Sequence, residues 1–167
     1  VALEVDAISQ PSYPLVQNAG KNLLKLYLND TGLFTGILYG NDIRPVLEDK
    51  RSVNLGSVYE TAVAQELKAH GFSLYYYDNK KNGEVDYLID DTKNMSSIPI
   101  EVKSGKDYMI HSALDKFIAN KDYAVRQAYV LSNEANIFEK NGITYIPIYF
   151  VMFFEHDVRL APEEYIF

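Results

Sequence analysis

Hydrophobic residues recur with helical spacing in two stretches of the chain. In residues 57–70 they form one apolar stripe, and Gly71 follows, so a helix is predicted that ends at His70 and Gly71. Ser57 is followed three residues later by Glu60, which fits a capping box in which both side chains bond backbone N–H groups of the first turn. Residues 109–119 show a similar stripe. The pattern therefore predicts two amphipathic helices, the first with a capped start.

Alternating or short apolar runs predict six β-strands. They are residues 22–28, 72–77, 84–89, 98–103, 125–131 and 143–146. Short polar connections join the second, third and fourth strands, which favours antiparallel neighbours. The helix between the fourth and fifth strands favours a parallel crossover. The order of elements therefore predicts a sheet that mixes both kinds of pairing.

The segments before the first long helix are less regular. Asp30 or Thr31 is predicted to cap a short helix that ends at Gly40, and residues 41–54 are predicted to form a loop. Residues 1–20 contain Pro11 and Pro14, so we expect them to be a linker or the tail of an upstream domain, followed by one domain over residues 21–167. The first residue is Val rather than Met, so we also expect the chain to be part of something longer.

Composition excludes several classes of function. The 167 residues are 47% hydrophobic, enough for a domain with a core, and no apolar run could span a bilayer. Cysteine is absent, which removes disulfides, thiolate metal sites and cysteine nucleophiles and fits the cytoplasm. The net charge of −7 argues against a simple nucleic-acid-binding module, because phosphate attraction supplies most non-specific affinity. It argues less against a nuclease, whose metal pocket must be acidic.

Two predicted strands carry charged residues where apolar ones might be expected. Glu101 and Lys103 share one face of their strand, roughly 6–7 Å apart. If this strand pairs with residues 84–89, Asp86 lies beside Glu101, and two such carboxylates repel unless a proton or cation intervenes. Mg²⁺, held by one or two carboxylates and several waters, is the usual resolution. With Lys103 to handle a water or a phosphate, the set suits metal-assisted phosphodiester hydrolysis.

The same charged residues have a simpler interpretation. Acidic residues on strands often form the solvated face of an antiparallel sheet. Glu101 and Lys103 as a surface ion pair would contribute only ~0–1 kcal/mol. Because the pattern D-x(n)-E-x-K is short and occurs by chance, spacing alone does not decide between the two interpretations.

Four stretches together carry a resemblance to a known superfamily. They are KLYLNDTGLFTGIL at residues 25–38, GSVYETAVAQELKAHGFSLYYYDNKKNGEVDYLID at 56–90, IPIEVKSGK at 98–106 and NGITYIPIYF at 141–150. With ETAVAQEL, GEVD and IEVKSG in this order, the chain resembles the PD-(D/E)XK nuclease superfamily. The branch it is most similar to is the C-terminal domain of unknown function of bacterial and archaeal AAA-type ATPases. Val85 stands where the superfamily's name has proline.

The resemblance implies both a fold and a site. The fold would be α/β (α+β) with a restriction-endonuclease-like core, that is, a mixed central β-sheet flanked by helices. The catalytic residues would be Asp86, Glu101 and Lys103. Asp86, Glu101 and Glu60 would bind Mg²⁺ or Mn²⁺, although Glu60 has a competing role in its capping box. Glu84 would lie at the mouth of the pocket, and ATP would bind only in an upstream domain.

Two functional hypotheses follow from the resemblance. In the first, the chain is the nuclease-like domain of a cytoplasmic AAA-type ATPase and hydrolyses DNA with Mg²⁺. In the second, it is a non-catalytic partner-binding or regulatory domain of the same ATPase, and the charged residues are a remnant. The expected partners are DNA and the ATPase domain in cis, with self-association as a further option and no membrane. Adjacent carboxylates in an open pocket with Lys103 at its rim favour the first hypothesis, and a buried ion-paired cluster without a pocket favours the second.

Overall fold

The computed structural model describes residues 2–40, 42, 44–48 and 54–156. The strands of this part are β1 Ala2–Ile8, β2 Gly20–Leu28, β3 Tyr75–Asn79, β4 Gly83–Asp91, β5 Ser96–Lys103, β6 Tyr129–Ser132, β7 Phe138–Lys140 and β8 Ile143–Pro147. The α-helices are α1 Thr31–Tyr39, α2 Arg44–Leu47, α3 Gly56–Ala69 and α4 Ser112–Ala119, with 3₁₀ turns at Leu15–Asn18, Lys121–Tyr123 and Ile148–Phe153. The predicted loop at residues 41–54 lies partly outside the described residues, and its described part contains α2 and is therefore not all loop.

The strands form one mixed sheet in the order β2-β1-β3-β4-β5-β6-β8-β7. β3, β4 and β5 are antiparallel neighbours, and β5 and β6 are parallel with α4 in the connection between them. These are the pairings that the connection lengths predicted. The prediction of a mixed central β-sheet flanked by helices is therefore confirmed. The six predicted strands all overlap observed ones, whereas β1 and β7 were not predicted.

Apolar side chains cover both faces of the sheet. On one face, α3 contributes Val63, Ala64 and Leu67 to a buried cluster. On the other, α4 contributes Leu114 and Phe117 to a second cluster. Because the central strands are covered on both sides, their sequences read as nearly continuous apolar runs. In the described part of the chain no helix is long and apolar enough to cross a bilayer.

Residues 1–20 differ from the linker or domain tail that their prolines suggested. β1 pairs antiparallel with β2 and parallel with β3, and Val5 and Ile8 are fully buried. Pro11 and Pro14 follow β1 and interrupt only the connection to β2. The buried Leu15 donates its backbone N–H to Asp90 Oδ1 at 3.0 Å. This segment is therefore an integral part of the sheet.

The capping box predicted at the start of α3 is wrong. The helix begins at Gly56 with Leu55 at the N-cap, and no side chain caps it. Ser57 thus lies inside the first turn, and the Glu60 carboxylate is free to bond elsewhere. Other predicted helix ends are confirmed: Asp30 Oδ1 accepts the N–H of Leu33 at 2.8 Å, which caps α1.

We expect Ser57→Ala to change the free energy of unfolding by less than about 0.5 kcal/mol, because Ser57 is exposed and is not the N-cap residue. Asp30→Ala is the matched comparison, since it removes an observed cap and is expected to cost about 1 kcal/mol. Urea denaturation of both variants measures the difference. If Ser57→Ala lowered the free energy of unfolding as much as Asp30→Ala, Ser57 would cap α3 after all.

Candidate functional site

The predicted site lies where the pairing of β4 with β5 ends. The backbone register runs from Asp91 opposite Ser96 to Tyr87 opposite Ile100. Beyond this point the Asp86 carboxylate replaces a backbone acceptor, because its Oδ2 accepts the N–H of Val102 at 2.7 Å. This hydrogen bond anchors Asp86 against β5, one position from Glu101. Asp86 and Glu101 are therefore neighbours across β4 and β5, and the hydrogen bond from Val102 to the Asp86 side chain holds them there.

A bulge in β4 determines where Asp86 lies. Tyr77 pairs with Val85 and Tyr75 pairs with Leu88, so β4 uses three steps where β3 uses two. Val85 and Leu88 consequently belong to the core under α4, whereas Tyr87 belongs to the core under α3. Strict alternation, which would place Val85 and Tyr87 on one face, is wrong here. Bulges commonly redirect a side chain next to a functional site, and this one contains Asp86.

Glu101 and Lys103 form an ion pair on the same strand. Lys103 Nζ donates to Glu101 Oε1 at 2.7 Å, as their shared face predicted. Glu101 is only 6% exposed, whereas the Lys103 side chain is 28% exposed. The second Glu101 oxygen, Oε2, is buried and accepts no hydrogen bond from the described residues. The pair is therefore not the exposed surface bridge of the simpler interpretation.

Burial and neighbouring groups shift the pKa of both carboxyl groups. Burial, and next the charge of Glu101, raise the pKa of Asp86 to about 8, although the Val102 N–H lowers it. Burial also raises the pKa of Glu101 above its ordinary value, although the hydrogen bond and charge of Lys103 lower it. Without a cation between them, the pair therefore retains a proton near neutral pH.

Glu60 lies at the edge of this pair. Its Oε2 accepts the Tyr27 hydroxyl at 2.9 Å, and its backbone oxygen accepts the Tyr87 hydroxyl at 2.8 Å. Its charge makes a smaller contribution to the raised pKa of Asp86. In the described part of the chain, however, no three His, Asp or Glu side chains are arranged to hold a metal ion. The structure brings Asp86 and Glu101 together and leaves Glu60 outside their immediate group.

The donor set still fits a hard divalent cation. Mg²⁺ commonly uses only one or two carboxylates and keeps several waters. Glu101 Oε2 is a buried oxygen without a donor, and the adjacent Asp86 is protonated near neutral pH unless positive charge compensates it. A cation at this position would satisfy both groups. Asp86 and Glu101 are the residues that would hold it.

A cavity lies next to the site at Lys103. It has a volume of about 340 Å³ and is lined by Gly56, Val102, Lys103, Ser104, Gly105, Asp107 and Ile110. Of the predicted site residues, Lys103 lines this cavity, whereas Asp86 and Glu101 do not. A second cavity, of about 230 Å³, lies at the other end of β4 beside Asp91 and contains none of the predicted site residues. The cluster thus has the buried ion pair of the second hypothesis, and this cavity contains the lysine but not the carboxylates that the first hypothesis expected in an open pocket.

Two residues of β2 reach the site although the sequence analysis assigned neither of them a role. Tyr27 bonds Glu60, and Lys25 pairs with Glu84, with Nζ 4.7 Å from the centroid of the Tyr76 ring. Glu84 is exposed, and its place at the mouth of the pocket stays a prediction. Lys25 and Tyr27 lie two positions apart and therefore share one face of β2. This shared face is the local feature from which their common location could have been predicted. Their partners lie more than 30 residues away, so spacing could not reveal them.

His111 is a buried group near Glu101 that the sequence analysis also missed. It immediately precedes α4, with Nε2 2.6 Å from the Tyr145 hydroxyl and Nδ1 3.1 Å from Asp115 Oδ1. Its charge makes a minor contribution that lowers the pKa of Glu101, whose main cause of shift is burial. Asp115 lies four residues after His111, a spacing that could have suggested their contact.

Comparison with known families covers the segment that contains the site. Residues 55–151 match the family model described as a domain of unknown function, DUF4143. The match runs from the start of α3 to the last described turn and includes Glu60, Asp86, Glu101 and Lys103. β1, β2 and α1 precede it. No curated protein and no solved structure matches the chain.

Proposed function

Because the chain belongs to the DUF4143 family of domains of unknown function, we propose its activity from the site: Mg²⁺- or Mn²⁺-dependent hydrolysis of phosphodiester bonds in DNA. The observation that carries the proposal is Glu101 Oε2, a buried oxygen that accepts no hydrogen bond of normal length and angle from the described residues. It lies next to the carboxyl group of Asp86, whose backbone N–H makes a small contribution that lowers the pKa of Glu101. We further propose that the domain has a restriction-endonuclease-like core and follows the ATPase core of an AAA-type ATPase. The four stretches that resemble the PD-(D/E)XK superfamily support this placement.

Each residue of the site has a role in the proposed reaction. Asp86 and Glu101 would hold the cation, and Asp86 would release its proton to solvent as the cation binds. The cation, when bound, supplies stabilisation of charge on the phosphate and lowers the pKa of a water. Lys103 lines the opening, so its ammonium is placed to bind a phosphate oxygen or to orient the attacking water. Glu60 adds negative charge at the edge of the site through its position beside Asp86.

Three exposed lysines lie at the end of the sheet that carries the site. Lys80 and Lys81 are exposed in the turn between β3 and β4, and Lys106 is exposed just after β5. These positions lie at the same end of the sheet as the site, because Asp86 is near the start of β4 and Lys103 ends β5. Local lysines thus offer contacts for DNA phosphates that a net charge of −7 does not suggest.

Hydrolysis of single- and double-stranded DNA by the full chain tests the proposal. We expect cleavage with Mg²⁺ or Mn²⁺, none with EDTA, and loss to the EDTA background in Asp86→Asn and in Lys103→Met. Asp122→Asn, which removes an exposed carboxylate outside the site, serves as the matched control and should cleave like the parent. Activity that persists in both site variants would remove the assigned site.

A non-catalytic partner-binding or regulatory domain of the same ATPase is the second candidate. Two observations favour it: Lys103 already neutralises one oxygen of Glu101, and the described residues contain no group of three metal ligands. In that case the parent would remain folded and would cleave neither form of DNA with either metal. The hydrolysis assay therefore separates the two candidates.

A further inference from the structure

The edge strand β2 contributes a buried tyrosine to the site. Tyr27 is 8% exposed and belongs to the core under α3, with its ring centroid 5.9 Å from that of Tyr87. Its hydroxyl donates to Glu60 Oε2 at 2.9 Å. Glu60 and Asp86 both raise the pKa of Tyr27, whose main cause of increase is burial. Tyr27 is therefore close to two of the three acidic residues of the site.

We propose that Tyr27 is a positioning residue of the metal site, a role that rests on the proposed function. Its hydroxyl holds the carboxylate of Glu60 beside Asp86. Glu60 then adds negative charge where the cation binds without being one of its direct protein ligands.

The contacts around Glu60 show why a positioning residue is needed. A glutamate has three rotatable bonds, and the first turn of α3 does not fix them because no capping box forms. Tyr87 bonds the backbone oxygen of Glu60 rather than its carboxylate, so this bond anchors the helix and leaves the side chain free to turn. The Tyr27 hydroxyl is the described donor to the carboxylate. Removing it should let Glu60 swing away from Asp86.

The chemistry of a tyrosine suits this role. Burial keeps the pKa of Tyr27 well above its ordinary value, so the hydroxyl remains a donor at neutral and mildly alkaline pH. A neutral donor orients the carboxylate and leaves its charge in place, whereas a lysine would cancel that charge. It also bonds one oxygen and leaves the other for the waters that Mg²⁺ retains. Hydrogen bonds of this kind, one step away from a metal, commonly tune its affinity.

Calorimetric titration of the full chain with Mn²⁺ alone tests the role. We expect Tyr27→Phe, which keeps the ring, to weaken Mn²⁺ binding by about tenfold. Glu60→Gln should have a similar effect, and the double variant should bind no more weakly than Glu60→Gln. Tyr129→Phe, in which a partly buried tyrosine of β6 loses its hydroxyl, is the matched control and should bind like the parent. Thermal unfolding without metal verifies that each variant is folded.

The outcomes separate this role from the proposed function. If the parent binds Mn²⁺ and Tyr27→Phe binds equally well, the positioning role is overturned and the metal site stands. If Tyr27→Phe weakens binding as much in the Glu60→Gln background as in the parent, Tyr27 acts on the core rather than on Glu60, which also overturns the role. A parent that binds no Mn²⁺ overturns the metal site and the role together.

Discussion

Asp86→Asn is expected to stabilise the metal-free protein at pH 8 by about 2–4 kcal/mol. The pKa of Asp86 is raised from its ordinary value of 3.8 to about 8, mainly by burial and then by Glu101. A raised pKa means that the folded state binds a proton that the unfolded state has lost. The stability that depends on this proton is fully present below pH 4 and is lost as the pH rises through about 8. Asparagine has no proton to lose and keeps an oxygen for the Val102 N–H.

The size of the effect follows from the same shift. A difference of one pKa unit corresponds to 1.36 kcal/mol, so the full shift would be worth about 6 kcal/mol. Relaxation of the protein and entry of water reduce this value, which gives the expected range. Part of the pH dependence should remain in the variant, because the pKa of Glu101 is raised in the same direction. The proton therefore belongs to the pair of carboxylates rather than to one residue.

Urea denaturation between pH 4 and pH 9 in EDTA measures this prediction. The free energy of unfolding of the parent should fall across the range, and that of Asp86→Asn should fall much less. Asp122→Asn, which removes an exposed carboxylate, should follow the parent. If Mg²⁺ binds at Asp86, it should restore stability to the parent at pH 8 and do little for Asp86→Asn. If the free energies of unfolding of the parent and Asp86→Asn changed with pH in the same way, Asp86 would not have the raised pKa on which the prediction depends.

Local patterns determine how much of this site could be predicted. The contact between Glu101 and Lys103 follows from the two-residue period of a strand, which needs no knowledge of the rest of the fold. The antiparallel neighbours β3, β4 and β5 follow from short polar connections. These features together place a carboxylate pair and a lysine at one end of the sheet.

Long-range features and single-residue irregularities escaped prediction. The bulge in β4 comes from one extra residue near Asp86, which leaves the apolar pattern almost unchanged. The hydrogen bond between Tyr27 and Glu60 joins an edge strand to a helix 33 residues away. Ser57 and Glu60 resembled a capping box in the sequence. The hydroxyl that bonds Glu60 instead belongs to Tyr27, 33 residues earlier in the chain. Tertiary contacts thus overruled the local preference of Glu60.

Lys103→Met is expected to destabilise the protein at pH 8 by about 2–4 kcal/mol, because it leaves the buried carboxylate of Glu101 without its cation. The loss should be smaller at pH 5, where Glu101, whose pKa is already raised, is more easily protonated. The double variant Glu101→Gln with Lys103→Met should return to within about 1 kcal/mol of the parent, since no buried charge remains.

This cycle also distinguishes a structural cluster from a catalytic one. Replacing a buried ion pair by neutral groups of similar volume is often neutral or stabilising, so a pair that serves the fold alone has little advantage over its replacement. Urea denaturation of the parent, both single variants and the double variant gives the coupling energy of the pair. If the parent cleaves DNA, a stable double variant that cleaves none would mean that Glu101 and Lys103 serve chemistry rather than folding. A double variant as unstable as Lys103→Met would instead make the pair a structural element and favour the non-catalytic domain.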